Sequence, residues 1–184
     1  MVNLEQIPTV MLRPWHECDE VTHALVHHWA DREDFQKWIG PLALESLVNH
    51  EFGAPIVTGD LYNWVAFDDG QPVAFLSATR SHMWMWPMGF RAAAGEEPTP
   101  EGPAMWFSTY VDPNRRGRRY SAGAKLAAIE NSAAAGVKLF LGFADAENTA
   151  SRRALETAGF CLAGTAPDRE GKDQCYYWLR RADA

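Results

Sequence analysis

The sequence predicts an α/β (α+β) fold, a central sheet flanked by helices, and three observations carry that prediction. From Met105 to Ala158 the chain reads strand, basic turn, helix, strand, helix, an order that implies a βαβ crossover between parallel neighbours. Upstream, two strand-like runs flank Asp68-Asp69-Gly70-Gln71, a hairpin signal because Gly accepts the positive φ of a tight turn. The composition, 47% hydrophobic and 22% charged over 184 residues, is that of one ordinary globular domain spanning 1–184. A chain this long buries roughly 70% of its unfolded surface, so stability requires neither metal nor disulfides.

The elements follow in order. Val10 to Trp15 reads as a short strand, and Asp19 opens a helix whose apolar positions Val21, Leu25 and Trp29 recur every four residues. Phe35, Trp38 and Ile39 mark a second helical piece, interrupted by Gly40-Pro41 before a further apolar stripe of Leu44, Leu47 and Val48. Tyr62 to Phe67 and Val73 to Thr79 form the hairpin, with Pro72 at a strand start, where it is tolerated. His82 to Ala104 shows no period, and loops this long in a compact domain are usually functional or mobile. Met105 to Val111 resumes as a strand. Ser121 to Ala135 reads as an Ala-rich helix with Leu126 and Ile129 on one face and Gly136 after its end; Gly123 weakens it by about 1 kcal/mol relative to Ala. Val137 to Ala144 is another apolar run, Asn148 caps a helix ending near Ala158, and Gly159 terminates it. Phe160 to Thr165 and Cys175 to Leu179 are the last strands.

Charge narrows the function classes. A net charge of −7 disfavours nucleic-acid binding through bulk charge, which needs an excess of Lys and Arg, and suits a cationic small partner. Cys18, Cys161 and Cys175 are odd in number and form no CxxC pair, which points to reduced thiols in a cytoplasmic protein and away from structural zinc. Met1 to Val10 holds no basic stretch followed by an apolar one, so no secretory leader is expected. The most apolar span, Met83 to Phe90, is far short of the roughly 20 residues that cross a bilayer, so no membrane association is expected.

Within this acidic chain Arg115, Arg116, Arg118, Arg119 and Lys125 form a basic island. The segment Val111-Asp112-Pro113-Asn114-Arg115-Arg116-Gly117-Arg118-Arg119-Tyr120-Ser121 stands between a strand and a helix. A helix start exposes unpaired N–H groups and the positive end of the dipole, Gly117 permits close approach, and arginines bind phosphate bidentately. That combination describes an anion cradle. The alternative is a solvated basic loop paired with Asp145 or Glu147. Neither a P-loop nor a GxGxxG pattern is present.

This segment resembles the acyl-CoA-binding motif of the GNAT N-acetyltransferase superfamily, V-x-P-x-x-Q/R-x-x-G-x-G/A. Asn148-Thr149-Ala150-Ser151-Arg152-Arg153-Ala154-Leu155-Glu156-Thr157-Ala158-Gly159-Phe160 is similar to that family's second motif, N-x-x-A-x-x-x-Y-E-x-x-G-F. The resemblance implies a GNAT-type mixed sheet of about six or seven strands whose parallel strands splay apart in the middle. It also implies an N-acetyltransferase that moves an acetyl group from acetyl-CoA to a primary amine by direct attack. Carried over residue by residue, it implies cofactor binding by Tyr110, Val111, Arg116, Gly117, Arg118, Arg119, Tyr120, Ser121, Asn148 and Ser151, with the Val111 amide facing the thioester carbonyl. The sequence departs from the pattern at several positions. Arg119 stands where the family has Gly, Ser121 where it has Gly or Ala, and Leu155 where many members have a Tyr that protonates the leaving thiolate. Leu cannot donate a proton, which leaves water, Ser151 or Tyr110, or no acid at all. A noncatalytic acyl-CoA-binding or regulatory module is therefore the second reading, and an interaction protein without the cofactor the third.

Other features carry less chemistry. An attacking amine must lose a proton, and Glu51, Asp60 and Glu101 are carboxylates from regions that could border an acceptor cleft; none is assigned as base. His23 and His27 have metal-ligand spacing but no third ligand, so an exposed helix face is the reading preferred for them. Met83, Trp84, Met85, Trp86 and Met88 suit a core cap, a homodimer contact or an acceptor-pocket floor. Cys161 reads as a buried apolar residue.

Overall fold

The computed structural model describes residues 7–39, 54–56, 59–81, 103–168 and 170–181. Its strands lie in the order β1 (Met11–Pro14), β3 (Gly59–Asp68), β4 (Gln71–Ser81), β5 (Ala104–Val111), β6 (Leu139–Asp145), β8 (Asp173–Arg180) and β7 (Cys161–Pro167). A short β2 (Ala54–Ile56) joins β3 outside this run. Every pair is antiparallel except β5 and β6, so a mixed seven-strand sheet carries its parallel pair in the middle, with β2 as an addition. The hairpin between β3 and β4 closes through Asp69 and Gly70, both with positive φ, the two-residue turn whose twist matches the flanking strands.

Helices α1 (Glu20–Ala30) and α2 (Glu33–Trp38) cover one face of the sheet, where Trp15, Val26, Trp29 and Phe35 pack on Val65, Phe75 and Tyr110. Asp19 caps α1 by accepting the Thr22 N–H at 2.8 Å. The buried stripe of α1 is Thr22, Val26, Trp29 and Ala30, and Val21 is 78% exposed. The expected stripe was thus one position out of phase at its start: the helix presents i, i+4, i+7 and i+8 from Thr22. His23 Nε2 lies 2.8 Å from the Trp15 carbonyl, and the rings of both His23 and His27 pack on Trp15; His23 is half-buried rather than on an exposed face.

Helices α3 (Tyr120–Ile129) and α4 (Thr149–Thr157) cover the other face over the larger cluster, which includes Leu76, Phe107, Phe140, Leu155 and Tyr177. Helix α3 ends at Ile129, short of the expected Ala135. Asn131 takes an extended backbone and its side chain accepts the Ala133 N–H, starting a separate turn at Ser132–Ala134, with Gly136 at φ +74° beyond it. Gly123 has a packing reason: a Cβ there would stand under 3.0 Å from the backbone carbonyl oxygen of Pro8, which crosses α3 at that point. Gly142 of β6 likewise leaves room for the Leu155 side chain. Cys161 is exposed, against expectation, because β7 is the edge strand of the sheet; Cys18 and Cys175 are buried.

The stripe at Leu44, Leu47 and Val48, the aromatic and methionine run at Met83–Met88, and the carboxylates of Glu51 and Glu101 lie outside the described residues. Ala104 already belongs to β5. Among the described residues no helix is long and apolar enough to cross a membrane, and no group of three His, Cys, Asp or Glu side chains could hold a metal ion.

Candidate functional site

The parallel pair is the structural origin of the site. Strands β5 and β6 pair only at Ala104–Trp106 and Leu139–Leu141, yet β5 runs on to Val111 and β6 to Asp145. Each keeps its ladder on the outer side, β5 with β4 and β6 with β8. The inner edges beyond the third pair therefore face each other across a gap without a shared ladder. Backbone groups so placed need partners, and an extended ligand bearing amides supplies them. The direction of one donor follows from register. Asp112 donates its N–H to Val73 of the β4 side at 3.0 Å. Successive N–H groups along a strand point to opposite edges, so that of Val111 points into the gap.

Below the end of β5 the chain turns into α3. Asp112 accepts the Asn114 N–H at 3.0 Å and its carbonyl accepts the Arg115 N–H at 2.8 Å, with Pro113 fixing the first position of a short 3₁₀ turn. Gly117 has φ +79° and open space where a Cβ would stand. Arg119 is the N-cap of α3 at φ +65°, ψ +16°, and its side chain makes no capping bond. Its carbonyl takes the N–H groups of both Ala122 and Gly123, which leaves those of Tyr120 and Ser121 as first-turn donors without an intrahelical acceptor. An exposed, positively charged, uncapped helix start results, with Arg116, Gly117, Arg118 and Arg119 all exposed.

The left-handed backbone at Arg119 shows why glycine suits this position. An L-residue there costs roughly 1–2 kcal/mol, partly offset because Gly loses more backbone freedom on folding. Arg119→Gly is expected to stabilise the chain by about 0.5–1 kcal/mol, a rise in Tm of roughly 1–4 °C by calorimetry. A fall in Tm would mean that the arginine side chain contributes more than its backbone costs.

The side chains divide between the two faces. Arg116 Nη2 donates to Asp34 Oδ2 at 2.6 Å, and its guanidinium lies 5.2 Å from the centre of the Tyr110 ring. Tyr110 Oη donates to Asp34 Oδ1 at 3.0 Å, and Arg32 Nε reaches the same oxygen at 3.2 Å. Asp34, on α2, is thus the hub that ties the basic turn to the α1–α2 face. Nothing in its sequence context distinguishes it from any acid in a first helical turn. Burial pulls its pKa upward, but the bonds from Arg116, Tyr110 and Arg32 and the Arg116 charge outweigh that and hold it below the usual carboxylate range. Burial, then the bond to Asp34, pushes the Tyr110 phenol above its ordinary value. Arg116 of the basic turn therefore pairs with Asp34, and among the described residues no ion pair joins the turn to Asp145 or Glu147.

Tyr120 is buried; its phenol donates to Asp68 at the β3–β4 turn and has the Arg118 guanidinium beside it, and the bond to Asp68, then burial, pushes it above its ordinary pKa. Asn148 spends its side-chain oxygen on the Ser151 N–H at 3.1 Å, capping α4, and Ser151 is half-buried on the first turn of that helix. Asp60 is the second residue of β3, opposite Arg80. One position differs from expectation. Lys125 is not part of the surface island: it is 3% exposed, and its Nζ donates to Thr109 Oγ1 at 2.9 Å and Ser121 Oγ at 2.8 Å. Leu155 is 1% exposed and packs against Gly142, so the side chain at this position is a core contact.

Comparison with known proteins agrees with this architecture. Residues 13–160 match the model of the Acetyltransferase (GNAT) family. The aminoglycoside N(6')acetyltransferase from Legionella pneumophila subsp. pneumophila str. Philadelphia 1 superposes with a TM-score of 0.66 at 17% identity, covering 96% of this chain and 95% of that one. The aminoglycoside acetyltransferase AAC(6')-Ib with coenzyme A gives 0.65 at 17% identity, covering 94% and 95%. Campylobacter jejuni N-acetyltransferase PseH with acetyl coenzyme A gives 0.56 at 13% identity, covering 94% and 99%. At these identities the likeness is one of fold. No curated protein sequence matches the chain.

Proposed function

Because this chain belongs to the Acetyltransferase (GNAT) family, we propose that it transfers an acetyl group from acetyl-CoA to a primary amine of a small acceptor, by direct attack without a covalent enzyme intermediate. The observation that carries the reading is the continuity of two features in one segment: the inner edge of β5 beyond Trp106, without a ladder partner among the described residues, leads through the turn at Pro113–Arg115 into the uncapped start of α3. An amide-bearing arm fits the first and a diphosphate the second, and the open space at Gly117 leaves room for the anion.

When bound, acetyl-CoA supplies the acetyl group as an activated thioester. The Val111 N–H, directed into the gap, would donate to the oxygen on which negative charge develops. The N–H groups of Gly117 through Ser121, with the charges of Arg116, Arg118 and Arg119, would hold the diphosphate. Asn148 and Ser151, at the start of the helix that follows β6, would border the arm from the far side of the gap. An acceptor amine of pKa about 10.4 is free base only about once in a thousand near neutral pH, so it needs a proton acceptor. Asp34 is unsuited to that task because its cationic and phenolic neighbours keep it ionised, and a carboxylate of lowered pKa is a weak base. The net charge of −7 favours a cationic acceptor such as a polyamine, an aminoglycoside-like compound or an amino-acid amine.

A binding module without turnover is the second reading, favoured by Leu155, which puts hydrocarbon where a proton donor is expected. One experiment separates the two. Coenzyme A at about a hundred times its Kd should stabilise the native state by about 2.7 kcal/mol, a Tm rise of roughly 5–10 °C. A panel of amines with acetyl-CoA should then release free thiol. A thermal shift without thiol release across the panel would favour the module, and no shift at millimolar coenzyme A would remove both.

A further inference from the structure

Lys125 is the one cation of the basic island that the fold takes inside. Its amine donates to two hydroxyls, one at each half of the site: Thr109, two residues before Val111 on β5, and Ser121, on the first turn of α3. Around it, α3 packs on β5, β4, β1 and α4, and those elements contribute apolar side chains to the shared cluster, among them Leu12, Leu76, Phe107, Val111 and Leu155. Among the described residues no charged group acts on the amine; burial alone moves it, pushing it down to about 7. Asp68, the carboxylate near that end of the helix, is bonded by Tyr120. A buried ammonium with only neutral partners lacks a counter-charge, and the first turn of α3 is where an anion would supply one.

We propose that Lys125 is a positioning residue for the cofactor, a buried counter-charge that takes up a proton from solvent as the diphosphate settles on the first turn of α3. The inference rests on the coenzyme A reading of that turn. The bound anion favours the charged amine, and the charged amine holds Ser121 and Thr109 together, fixing the turn against the edge of β5. Linkage sets the sign: affinity for coenzyme A falls as pH rises from 7, the range in which the free chain loses this proton and the bound one keeps it.

Calorimetric titration of the native chain with coenzyme A, at pH 7.5 in two buffers of different ionisation enthalpy, tests this directly. More than about half a proton should be taken up per site. Binding without proton uptake overturns the inference and leaves the proposed function standing; no binding at all overturns both. Lys125→Met supplies the second readout. It should abolish the uptake, weaken coenzyme A about tenfold near pH 7 and flatten the affinity profile between pH 6.5 and 8.5, where the native chain should lose about tenfold more. Titration of the ligand's own phosphate is common to both proteins and cancels. The same substitution should raise the Tm of the ligand-free chain, because it replaces a buried amine that the fold desolvates without a counter-charge by an apolar side chain of similar length. A purely structural lysine would lower Tm on replacement and leave the pH profile unchanged, and that pair of results would overturn the inference.

Discussion

Replacing Gly117 with Asp is expected to weaken coenzyme A binding by more than about thirtyfold while leaving the fold intact. At φ +79° the position is unfavourable for most side chains, but Asp and Asn enter the left-handed region more readily than others, and nothing lies within 4 Å of the site of a new Cβ. The folded chain should therefore tolerate the change with a Tm within a few degrees of the native one. The ligand should not. A carboxylate would project beside the proposed phosphate position, and one repulsion of about 2 kcal/mol at surface-like screening accounts for the expected factor. Gly117→Asn separates charge from shape, since it has nearly the same volume and backbone preference but no charge. Titration should show Asn within a few-fold of native and Asp far weaker. Equal losses in both would mean that shape, not charge, governs the position; native affinity in Asp would mean that the diphosphate binds elsewhere.

Gly123→Ala should destabilise the chain by about 2–4 kcal/mol, the reverse of what helix propensity alone predicts. Alanine in a helix interior gains about 1 kcal/mol over glycine. At this position, however, the added methyl would stand under 3.0 Å from the main-chain carbonyl oxygen of Pro8. A side-chain tip could rotate away, but this oxygen belongs to backbone leading into β1, so α3 and that segment must separate. Overpacking of a close contact costs typically 1–3 kcal/mol, and separating buried helix from sheet adds lost apolar contact. Urea denaturation should show a lower midpoint with little change in slope. A midpoint equal to or above the native one would mean that the Pro8 segment does not cross α3 as described.

Much of this fold is legible in the sequence because its boundaries are set by local chemistry. Asp19 and Asn148 cap the helices that follow them, and Asp69-Gly70 supplies the positive φ pair of a tight turn; each acts within four residues. The parallel crossover is legible from the strand, turn, helix, strand order. What stays hidden depends on contacts distant along the chain. Lys125 counts as a surface charge until the sheet beneath α3 is known, and its partners Thr109 and Ser121 are ordinary hydroxyls in isolation. Asp34 and Arg116 meet across 82 positions of sequence, which no local pattern encodes. The four-residue period marks the helix that holds Val21, but its rotation is set by the sheet it packs on, which buries the stripe from Thr22 and leaves the valine exposed. Cys161 is apolar in character and exposed by topology, because β7 lies at an edge.

The three rungs that join β5 to β6 give the sheet a mechanical property. Five residue steps lead from the last rung, at Trp106, to Val111, a lever arm of about 17 Å at strand rise. A relative tilt of about 5° between the two blocks of sheet displaces the far tips by about 1.5 Å, comparable to the rise of one methylene in an acyl chain. Substitutions at Met105 or Phe140, buried at the fulcrum, thus reach the distant opening by rotation, without any contact there.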